Sequence, residues 1–348
     1  MILDMENNYI ITKDQNIINA LTTLNKLRNT SMTLFVIDSA KRMVGTLTDG
    51  DIRRALINGA SLTTPIEQIM FTHFSYIKKN NEVKKLKEFR HKGITLIPRL
   101  NELNHIVEII DLTKNRTSLP IDAVLMAGGK GERLRPLTLD TPKPLLKIGS
   151  KAIIDRNIEN LIKHGINNIS VTVNYLREVI IEHYKKPING VTIQCVEEEK
   201  FLGTIGSIKM IKEFKNDTIL VMNSDLLTEI DFEDFFLHFQ EHDAMMSAAA
   251  IPYTINIPYG IFNIKNREIE SVSEKPTYNL YANAGIYLLK KDCLNYIPDD
   301  KVFNATDLID TLSAAGEKVI RYPLTKLWVD IGTPEEFRKA QEIIKHID

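Results

Sequence analysis

Residues 125–138 read LMAGGKGERLRPLT, and PKP follows at 142–144. Three glycines within four residues let backbone N–H groups converge on a phosphate chain, because no Cβ atom blocks the approach. Arg133 and Lys143 bring positive charge to the same loop, and a proline on each side of Lys143 stiffens the chain that carries it. The stretch therefore predicts a triphosphate site with Lys143 as a catalytic cation.

Two other glycine-loop patterns do not fit this stretch. A Walker A loop requires GxxxxGK[ST], which the sequence lacks, and a GxGxxG fingerprint starting at Gly129 would need a glycine where Leu134 stands. The second mismatch disfavours an NAD-dependent dehydrogenase. A purely structural turn remains an alternative, although such a turn would not require Arg133 or the PKP segment.

The composition indicates two globular domains of different character. The chain has 348 residues, 43% of them hydrophobic, which allows two cores at roughly 150 residues per domain. Residues 1–120 carry 17 basic and 12 acidic side chains, and the remainder carries 27 and 33. The overall balance of 44 basic and 45 acidic residues disfavours a protein that coats nucleic acid.

The cysteine content and the amino-terminal sequence indicate the cellular compartment of the protein. Cys195 and Cys293 are the only cysteines and show no CxxC spacing, which disfavours a disulfide framework and a cysteine zinc site. The start MILDMENNYI lacks a basic region followed by an apolar one, and no apolar run reaches the roughly 18 residues of a membrane span. We expect a soluble cytoplasmic protein with no membrane or nucleic-acid partner.

The polar segment TKNRTSLP at 113–120 has no periodicity and ends in proline, which predicts a linker. We assign one domain to 1–114, the linker to 115–120 and a second domain to 121–348. Beyond the linker, predicted strands and helices alternate, and later strands lie closer together. This pattern predicts an α/β doubly wound sheet of mixed direction. The predicted strands are 122–127, 169–174, 191–196, 219–223, 246–251, 260–264 and 284–289, and the predicted helices are 152–163, from 177, from 206, 232–239 and 334–347.

The first domain contains two diverged copies of one pattern. GTLTDGDI at 45–52 aligns with HIVEIIDL at 105–112, so that Asp51 falls on Asp111. Each copy is preceded by an amphipathic helical segment and a short apolar strand. We predict a β-α-β-β-α unit used twice. The helical segments are 17–27 and 83–89, and the strands are 33–37 and 95–97.

The first copy resembles a CBS motif, in which a strand ending Gly-x-x-Thr/Ser-x-x-Asp places a hydroxyl and a carboxylate beside the ribose of a bound adenosine. The resemblance implies an adenosine nucleotide partner at Thr48 and Asp51, and a homo-oligomer, because CBS pairs often act as dimerisation or regulatory modules. The second copy has His105 at the glycine position and Glu108 at the threonine position, and the added carboxylate would repel a phosphate. Capping of the following helix by Asp51 is an open alternative.

The GGxGxRLxPLT and PKP segments resemble the signature of sugar-1-phosphate nucleotidyltransferases. The resemblance continues in order over about residues 121–345, through EEKFLGTIG at 198–206, VMNSD at 221–225, EKP at 274–276, NAGIY at 283–287 and WVDIGT at 328–333. It implies a Rossmann-like doubly wound mixed sheet preceded by the smaller α/β CBS pair. It also implies an NTP and a sugar-1-phosphate as substrates, and Mg²⁺ as the cofactor.

The same resemblance implies a role for each site residue. Lys143 would bridge the sugar phosphate and the α-phosphate, Arg133 would stabilise the departing pyrophosphate, and Lys275 would steady the sugar phosphate. No general base is required, because a phosphate monoester is largely a dianion at neutral pH. The implied catalytic residues are Arg133, Lys143, Asp225 and Asp330, the last two as metal ligands; the nucleotide-binding residues are Ala127, Gly128, Gly129, Gly131, Arg133, Glu198, Gly203 and Gly206; the sugar-phosphate residues are Gly260, Glu274, Lys275 and Asn283.

Simpler roles remain alternatives for four of these residues. Asp225 as a strand-end cap and Asp330 as a buried acceptor are each plausible alone, and Glu274 and Asn283 have the alternative of ordinary loop polarity. Two positions depart from the family pattern. Ser224 replaces a glycine and Ile205 an alanine, so we expect a different pocket shape near the base and the sugar.

A CBS pair ahead of this transferase resembles the glucosamine-1-phosphate guanylyltransferases of bacterial legionaminic-acid pathways, which implies GTP and glucosamine-1-phosphate. UTP, CTP or dTTP with a hexose-1-phosphate stays open. An adenosine-nucleotide sensor with a non-catalytic transferase domain is the alternative from another class. No hexapeptide repeat follows the helix at 334–347, so we expect no acetyltransferase half.

Overall fold

The computed structural model describes residues 8–27, 31–78, 82–113 and 119–346. The chain forms two compact units, Met1–Leu119 with Lys163–Gly165, and Pro120–Ile162 with Ile166–Asp348. The division between Leu119 and Pro120 falls inside the predicted linker, of which residues 114–118 lie outside the described ranges. No described helix is both long enough and apolar enough to cross a membrane.

The amino-terminal unit contains three helices, five strands and a 3₁₀ turn at Ile66–Gln68 within the described residues. The elements are β1 Ile10–Thr12, α1 Ile17–Lys26, β2 Thr33–Ile37, β3 Met43–Thr48, α2 Asp49–Ile57, α3 Val83–His91, β4 Leu96–Leu100 and β5 Ile106–Asp111.

The first copy of the repeat has the predicted order β-α-β-β-α. Strand β2 pairs with β1 in parallel and with β3 in antiparallel fashion. Helix α1 buries Ile17, Ala20 and Leu24, which follow a helical spacing and pack in one cluster with Leu34 and Leu47 of the sheet. Apolar periodicity therefore sets both the helix and the face that it buries.

The second copy is less regular than predicted. Strands β4 and β5 form an antiparallel pair, but the strand that should precede α3 is reduced to a single parallel bridge between Ile77 and Arg99. A closing helix would fall at 114–118, outside the described residues. Glu108, the carboxylate expected to repel a phosphate, pairs with Arg99 across the strands at 2.8 Å. The CBS assignment stays a prediction.

The carboxyl-terminal unit contains the remaining elements. They are β6 Ile121–Ala127, β7 Lys147–Ile148, β8 Lys151–Ala152, α4 Ile153–Lys163, β9 Asn168–Val173, α5 Arg177–His183, β10 Ile193–Glu197, β11 Thr218–Asn223, β12 Leu226–Thr228, α6 Phe232–Glu241, β13 Met246–Asn256, β14 Ile261–Lys265, β15 Glu268–Ser273, β16 Thr277–Lys290, α7 Ala305–Ala314, β17 Val319–Pro323, β18 Trp328–Asp330 and α8 Pro334–Ile344, with 3₁₀ turns at Glu132–Leu134, Lys143–Leu145, Gly206–Met210 and Lys291–Tyr296.

A seven-stranded mixed sheet forms the centre of this unit, in the order β10-β9-β6-β11-β16-β13-β17. The strands β10, β9, β6 and β11 run parallel, whereas β16 is antiparallel to both β11 and β13. The chain moves outward from β6 to β9 and β10, then returns to place β11 on the other side of β6. Ligands of open α/β sheets bind at the carboxyl ends of strands at such a reversal, so this topology favours a site beside the ends of β6 and β11.

Three predicted elements, one helix and two strands, differ from those observed. The helix predicted from residue 206 is a five-residue 3₁₀ turn at Gly206–Met210, because the N–H groups of Ile205 and Gly206 both donate to the Phe303 carbonyl at 3.1 Å and the chain then turns to bury Ile208 and Ile211. The strands predicted at 246–251 and 284–289 are the buried halves of β13 and β16, whose outer halves are exposed.

Candidate active site

A cavity of about 410 Å³ opens at the carboxyl ends of β6 and β11. It lies where the strand order reverses, as the topology favours. Nine of the residues predicted for the site line it: Ala127, Gly128, Gly129, Gly131, Arg133, Lys143, Glu198, Gly203 and Asp225. The other predicted residues of this unit are described but are not part of this lining: Gly206, Gly260, Glu274, Lys275, Asn283 and Asp330.

The glycine loop requires glycine at two positions for different reasons. Gly131 has a left-handed backbone with φ of 61°, and a Cβ atom there would lie 3.0 Å from the Lys143 Cβ. The carbonyl of Gly131 accepts the Thr138 hydroxyl at 2.8 Å, which closes the loop. At Gly128 a Cβ atom would lie 3.1 Å from a carboxylate oxygen of Glu198. The loop therefore exposes backbone to the cavity and keeps close contact with Lys143 and Glu198.

Lys143 is a buried cation at the wall of the cavity. It begins the 3₁₀ turn Lys143–Leu145, between the two prolines, and only 8% of it is exposed. Its Nζ donates to Asp225 Oδ2 in an ion pair. Low exposure and the ion pair restrict the position of the amine, as a preorganised cation that meets a transferring phosphoryl group requires.

The two predicted metal ligands are brought together by the pairing of β12 with β18, since Asp225 directly precedes β12. Asp225 follows β11, and Asp330 ends β18, where it pairs in register with Leu226. The backbone N–H of Ile331 donates to the Asp225 carbonyl at 3.1 Å, which fixes the two segments to each other. Burial raises the pKa of Asp330, the neighbouring Asp225 carboxylate raises it further, and the Lys143 and Arg133 charges oppose the rise. The Asp225 and Asp330 carboxylates are therefore close neighbours in a partly buried region.

Arg133 lies over the segment that follows β18. A Cβ atom at Gly332 would lie 2.9 Å from Nη2 of Arg133 and 3.3 Å from its Cζ. The guanidinium group therefore occupies the space that glycine leaves free. This contact places Arg133 beside the segment that follows Asp330, where its charge acts on the Asp330 carboxylate together with that of Lys143.

The opposite end of the cavity carries a loop of polar and aromatic groups. Glu198 is only 2% exposed, and its Oε2 accepts the N–H of Leu202 at 3.4 Å. Phe201 and Thr204 also line the cavity, and 51% of the Phe201 side chain is exposed. No role was predicted for either residue. The signal available in the sequence was the position of Phe201 directly before the LGT segment.

The beginning of α7 holds this loop from behind. Asn304 Oδ1 accepts the Thr204 N–H at 3.2 Å, and the Thr204 hydroxyl accepts the Ala305 N–H at 2.9 Å. Gly203 has φ of 82°, and a Cβ atom there would lie 2.6 Å from the Phe303 carbonyl oxygen. Gly206 packs on the same segment, outside the cavity. Its predicted approach to the nucleotide stays a prediction.

Of the predicted sugar-phosphate residues, Gly260 directly precedes β14, Glu274 and Lys275 lie between β15 and β16, and Asn283 lies within β16. Glu274 and Gly260 are neighbours, since a Cβ atom on Gly260 would lie 3.0 Å from Glu274 Oε2. Lys275 is exposed and has φ of 44°. Asn283 donates to the Tyr287 hydroxyl at 2.8 Å and accepts the Gly285 N–H at 3.0 Å. Their roles in sugar binding stay predictions.

The two departures from the family pattern have different consequences. Ser224 lines the cavity, and its hydroxyl donates to the Met126 carbonyl at 2.6 Å, which ties the end of β11 to the end of β6. Ile205 is fully buried in the hydrophobic core and is not among the residues that line the cavity. Of the two, only Ser224 shapes the described cavity wall.

Thr48 and Asp51 of the amino-terminal unit form a capping box at the start of α2. The Thr48 hydroxyl accepts the Asp51 N–H at 3.2 Å, and Asp51 Oδ2 accepts both the N–H and the hydroxyl of Thr48, at 2.8 and 2.6 Å. Arg54 pairs with the other oxygen of Asp51. The capping alternative is therefore realised, and adenosine binding at these residues stays a prediction.

Comparisons with known proteins identify relatives of this chain. The mannose-1-phosphate guanyltransferase of Yarrowia lipolytica is 33% identical over 62% of this chain and 61% of its own length. The mannose-1-phosphate guanylyltransferase catalytic subunit beta of Dictyostelium discoideum is 30% identical over 62% of each chain. The chain thus spans about three fifths of the length of these curated relatives.

A solved structure and a family profile complete the comparison. HddC from Yersinia pseudotuberculosis, complexed with GMP-PN, superimposes with a TM-score of 0.51 and 26% identity over 64% of this chain and 99% of its own. The profile of the family described as Nucleotidyl transferase matches residues 122–346, which contain every residue that lines the cavity. The chain belongs to the nucleotidyl transferase family.

Proposed function

We propose that the protein transfers GMP from GTP to a sugar-1-phosphate and releases pyrophosphate. The observation that carries this proposal is a cavity lined by the glycine loop together with Lys143, Asp225 and Arg133, whose charges also act on the adjacent Asp330. An oxygen of the sugar phosphate attacks the α-phosphorus, a new P–O bond forms, and the bond to the β-phosphate oxygen breaks. Such a reaction depends mainly on positioning and charge neutralisation.

Each side chain has a role that follows from its place. The amine of Lys143 neutralises charge that develops around the α-phosphorus, and its tight packing lets it do so without reorganisation. Arg133 offers a planar set of donors to the departing pyrophosphate. Backbone N–H groups of the glycine loop hold the phosphate chain without adding charge.

Divalent metal ions are generally used by nucleotidyltransferases of this family, and the donors present suit one. Asp225 and Asp330 supply hard oxygen atoms, and the mutual effect of these carboxylates on the Asp330 pKa is the repulsion that a cation relieves. The described residues contain no group of three or more His, Cys, Asp or Glu side chains that could hold a metal. We propose Mg²⁺, which typically binds through one or two carboxylates together with substrate phosphates and would neutralise charge on the α-phosphate.

Three observations support guanine as the base. Glu198 is a buried carboxylate at the cavity, and guanine is the base that presents adjacent N–H donors, its N1–H and N2 amino group, to a carboxylate. The curated relatives described above are named as guanylyltransferases, and the HddC structure was solved with GMP-PN. Phe201 offers an exposed ring on which a base can stack.

Two sugars are candidates for the acceptor. Glucosamine-1-phosphate follows from the resemblance to guanylyltransferases with a CBS pair, and the exposed carboxylate of Glu274 would complement its amino group. Mannose-1-phosphate follows from the names of the relatives. If Glu274 recognises the amine, Glu274→Gln should lower kcat/KM for glucosamine-1-phosphate and leave that for mannose-1-phosphate within about twofold.

The test is pyrophosphate release by the full chain with each of GTP, UTP, CTP and dTTP, each paired with glucosamine-, mannose-, glucose- and N-acetylglucosamine-1-phosphate, in the presence of Mg²⁺. We expect turnover with GTP and one of the first two sugars. Asp225→Asn should remove turnover while the variant still folds, with a melting temperature lowered by about 3–8 °C because Lys143 loses its ion pair. Turnover with none of the sixteen pairs would refute the transferase proposal and leave the nucleotide sensor.

The amino-terminal unit is proposed to bind an adenosine nucleotide at Thr48 and Asp51, as the CBS resemblance implies. AMP or ATP should then raise the melting temperature of the full chain, and Asp51→Ala should abolish the shift. Asp49→Ala is the matched control, because Asp49 lies in the same helical turn and pairs with the exposed Arg53 at 2.8 Å. The absence of a shift in the parent protein would leave this unit as an assembly module. Both activities would place the protein in the cytoplasm.

A further inference from the structure

The segment 252–281 exposes a dense set of large apolar side chains. Ten of them are between 39% and 73% exposed. Five of the ten are aromatic, a class of side chain that buries about 150–250 Å² when fully covered, and the five smaller aliphatic side chains add to this, so the ten leave on the order of 800–1,000 Å² open. The largest apolar patch on a typical monomer measures roughly 300–600 Å². The ten are Tyr253, Ile255, Tyr259, Phe262, Ile264, Ile269, Val272, Tyr278, Leu280 and Tyr281.

The outer halves of β13 and β16 form a ribbon with two unlike faces. On one face Tyr253 lies opposite Leu280 and Ile255 lies opposite Tyr278. On the other face the Thr254 hydroxyl donates to Asn279 at 3.0 Å, and a second threonine–asparagine pair follows at 2.9 Å. Each face of a ribbon takes alternate residues, so the apolar face is continuous and open.

The hairpin of β14 and β15 repeats this arrangement. Phe262 lies opposite Val272, and Ile264 lies opposite Ile269. The reverse face carries a hydrogen bond of 2.7 Å from an asparagine to a serine. Two ribbons from one continuous segment therefore each present four apolar side chains to solvent.

Charge is missing from these strands. The sequence has no Asp, Glu, Lys or Arg from Ala244 to Ile264 or from Pro276 to Leu289, although 26% of the whole chain is charged. The stretch between them, 265–275, carries three basic and three acidic residues. Depletion of charge and enrichment in tyrosine and phenylalanine are typical of the core of a protein interface.

We propose that the apolar faces of these two ribbons, Tyr253/Ile255/Tyr278/Leu280 and Phe262/Ile264/Ile269/Val272, dock a second copy of this chain. Because the segment has no net charge, two copies do not repel each other, and a twofold axis lets the same surface cover itself. Tyr259 and Tyr281 lie outside these faces, so the area that a second copy would cover is somewhat smaller than that of the ten side chains together and is on the order of the roughly 800 Å² that each partner buries in a standard interface. A membrane surface would instead favour an excess of Lys and Arg around the apolar face.

The pairing leaves Asn283 on the free side of its ribbon, whereas Gly260 and Glu274 lie beside Val272 at the edge of the docked hairpin, since a Cβ atom on Gly260 would lie 3.4 Å from Val272 Cγ1. Asn283 alternates in register with Asn279 and Tyr281, on the side of the ribbon opposite Tyr278 and Leu280. A second copy on the apolar face therefore covers the back of the ribbon that carries Asn283. This proposal does not depend on which nucleotide or sugar the protein uses.

Sedimentation equilibrium of the full chain tests the proposal. We expect the parent to sediment at twice 39.7 kDa and Leu280→Glu to raise the dissociation constant at least about a hundredfold, since each copy would bury a charge without a partner. Asn279→Asp is the matched control, with the same added charge on the polar face, and should stay dimeric. Tyr253→Ser, a milder change on the apolar face, should also weaken the dimer.

Circular dichroism and melting curves verify that each variant folds, which exposed positions permit. A monomeric parent, a dimeric Leu280→Glu, or equal weakening by Asn279→Asp would each overturn the proposal. A monomer that floats with anionic phospholipid vesicles would overturn it in favour of a membrane surface.

Discussion

Replacing Lys143 with methionine separates the catalytic role of this residue from its structural role. Methionine is close to lysine in length and fits a site that leaves only 8% of the residue exposed, so the change removes the charge and little volume. The ion pair with Asp225 is lost, but about a quarter of the Asp225 side chain, 23%, is exposed and can recover water. We therefore expect a stability loss of about 1–2 kcal/mol, below the 3–5 kcal/mol of a fully buried pair.

This loss is too small to abolish activity by unfolding. If the free energy of unfolding falls from about 5 to about 3 kcal/mol, roughly 150 molecules are still folded for each unfolded one. Removal of a preorganised charge at the reacting phosphoryl group, in contrast, lowers kcat by about 10²–10³. The catalytic effect therefore exceeds the structural one by a wide margin.

The measurements are urea denaturation for stability and steady-state pyrophosphate release for kcat and KM. Lys147→Met is the matched control, because Lys147 is an exposed lysine four positions along the same segment, and it should keep both stability and turnover. A Lys143→Met protein with kcat within tenfold of the parent would refute the catalytic role. A variant already unfolded at the assay temperature would refute the estimate of stability.

Three further predictions test other parts of the structure. Gly203→Ala should raise KM for the NTP and lower the free energy of unfolding by about 1–3 kcal/mol, since its Cβ atom would lie 2.6 Å from a carbonyl oxygen and the backbone φ is 82°. Gly190→Ala is the control, because Gly190 has the same φ and open space around it. It should lower the free energy of unfolding by less and leave KM unchanged. Ser224→Ala should lose about 1 kcal/mol in urea denaturation, because it removes one buried hydrogen bond; equal stability would show that this bond contributes nothing. Burial raises the pKa of Cys293 to about 12, and burial together with the Glu197 charge raises the pKa of Cys195. At pH 8 the thiolate fraction of both cysteines is therefore lower than that of a free cysteine. A disulfide reagent should modify Cys195 slowly and Cys293 only after unfolding. Rapid modification of Cys293 in the native protein would contradict its burial.

Local features of the sequence were sufficient for the elements that surround the site. The apolar run at 122–127 and the glycines after it predict β6 and the phosphate loop, and the structure places both at the cavity. Apolar strands and amphipathic helices depend on side-chain periodicity, which the sequence contains directly. Even the alternative role of Asp51, as a helix cap, follows from local residue types.

Features that depend on contacts between distant segments were not predictable. The 3₁₀ turn after Gly206 and the support of Thr204 by Asn304 both arise because the segment near Phe303 packs against this loop, about a hundred positions away in the sequence. The pairing of Lys143 with Asp225 is likewise a tertiary contact. A single sequence contains secondary-structure propensities and hydrophobic periodicity, but these do not predict which loops contact each other in the fold.

The ion pair between Lys143 and Asp225 has a consequence for substrate affinity. In the free protein the Lys143 amine is already paired with the Asp225 carboxylate, so the site does not present an unpaired lysine charge to the phosphates. Nucleotide binding must exchange this internal partner for an external one, and the affinity is the difference between two sets of ion pairs. Ionic strength weakens both sets, so the dissociation constant for the nucleotide should vary with salt less steeply than the number of phosphate charges alone would suggest.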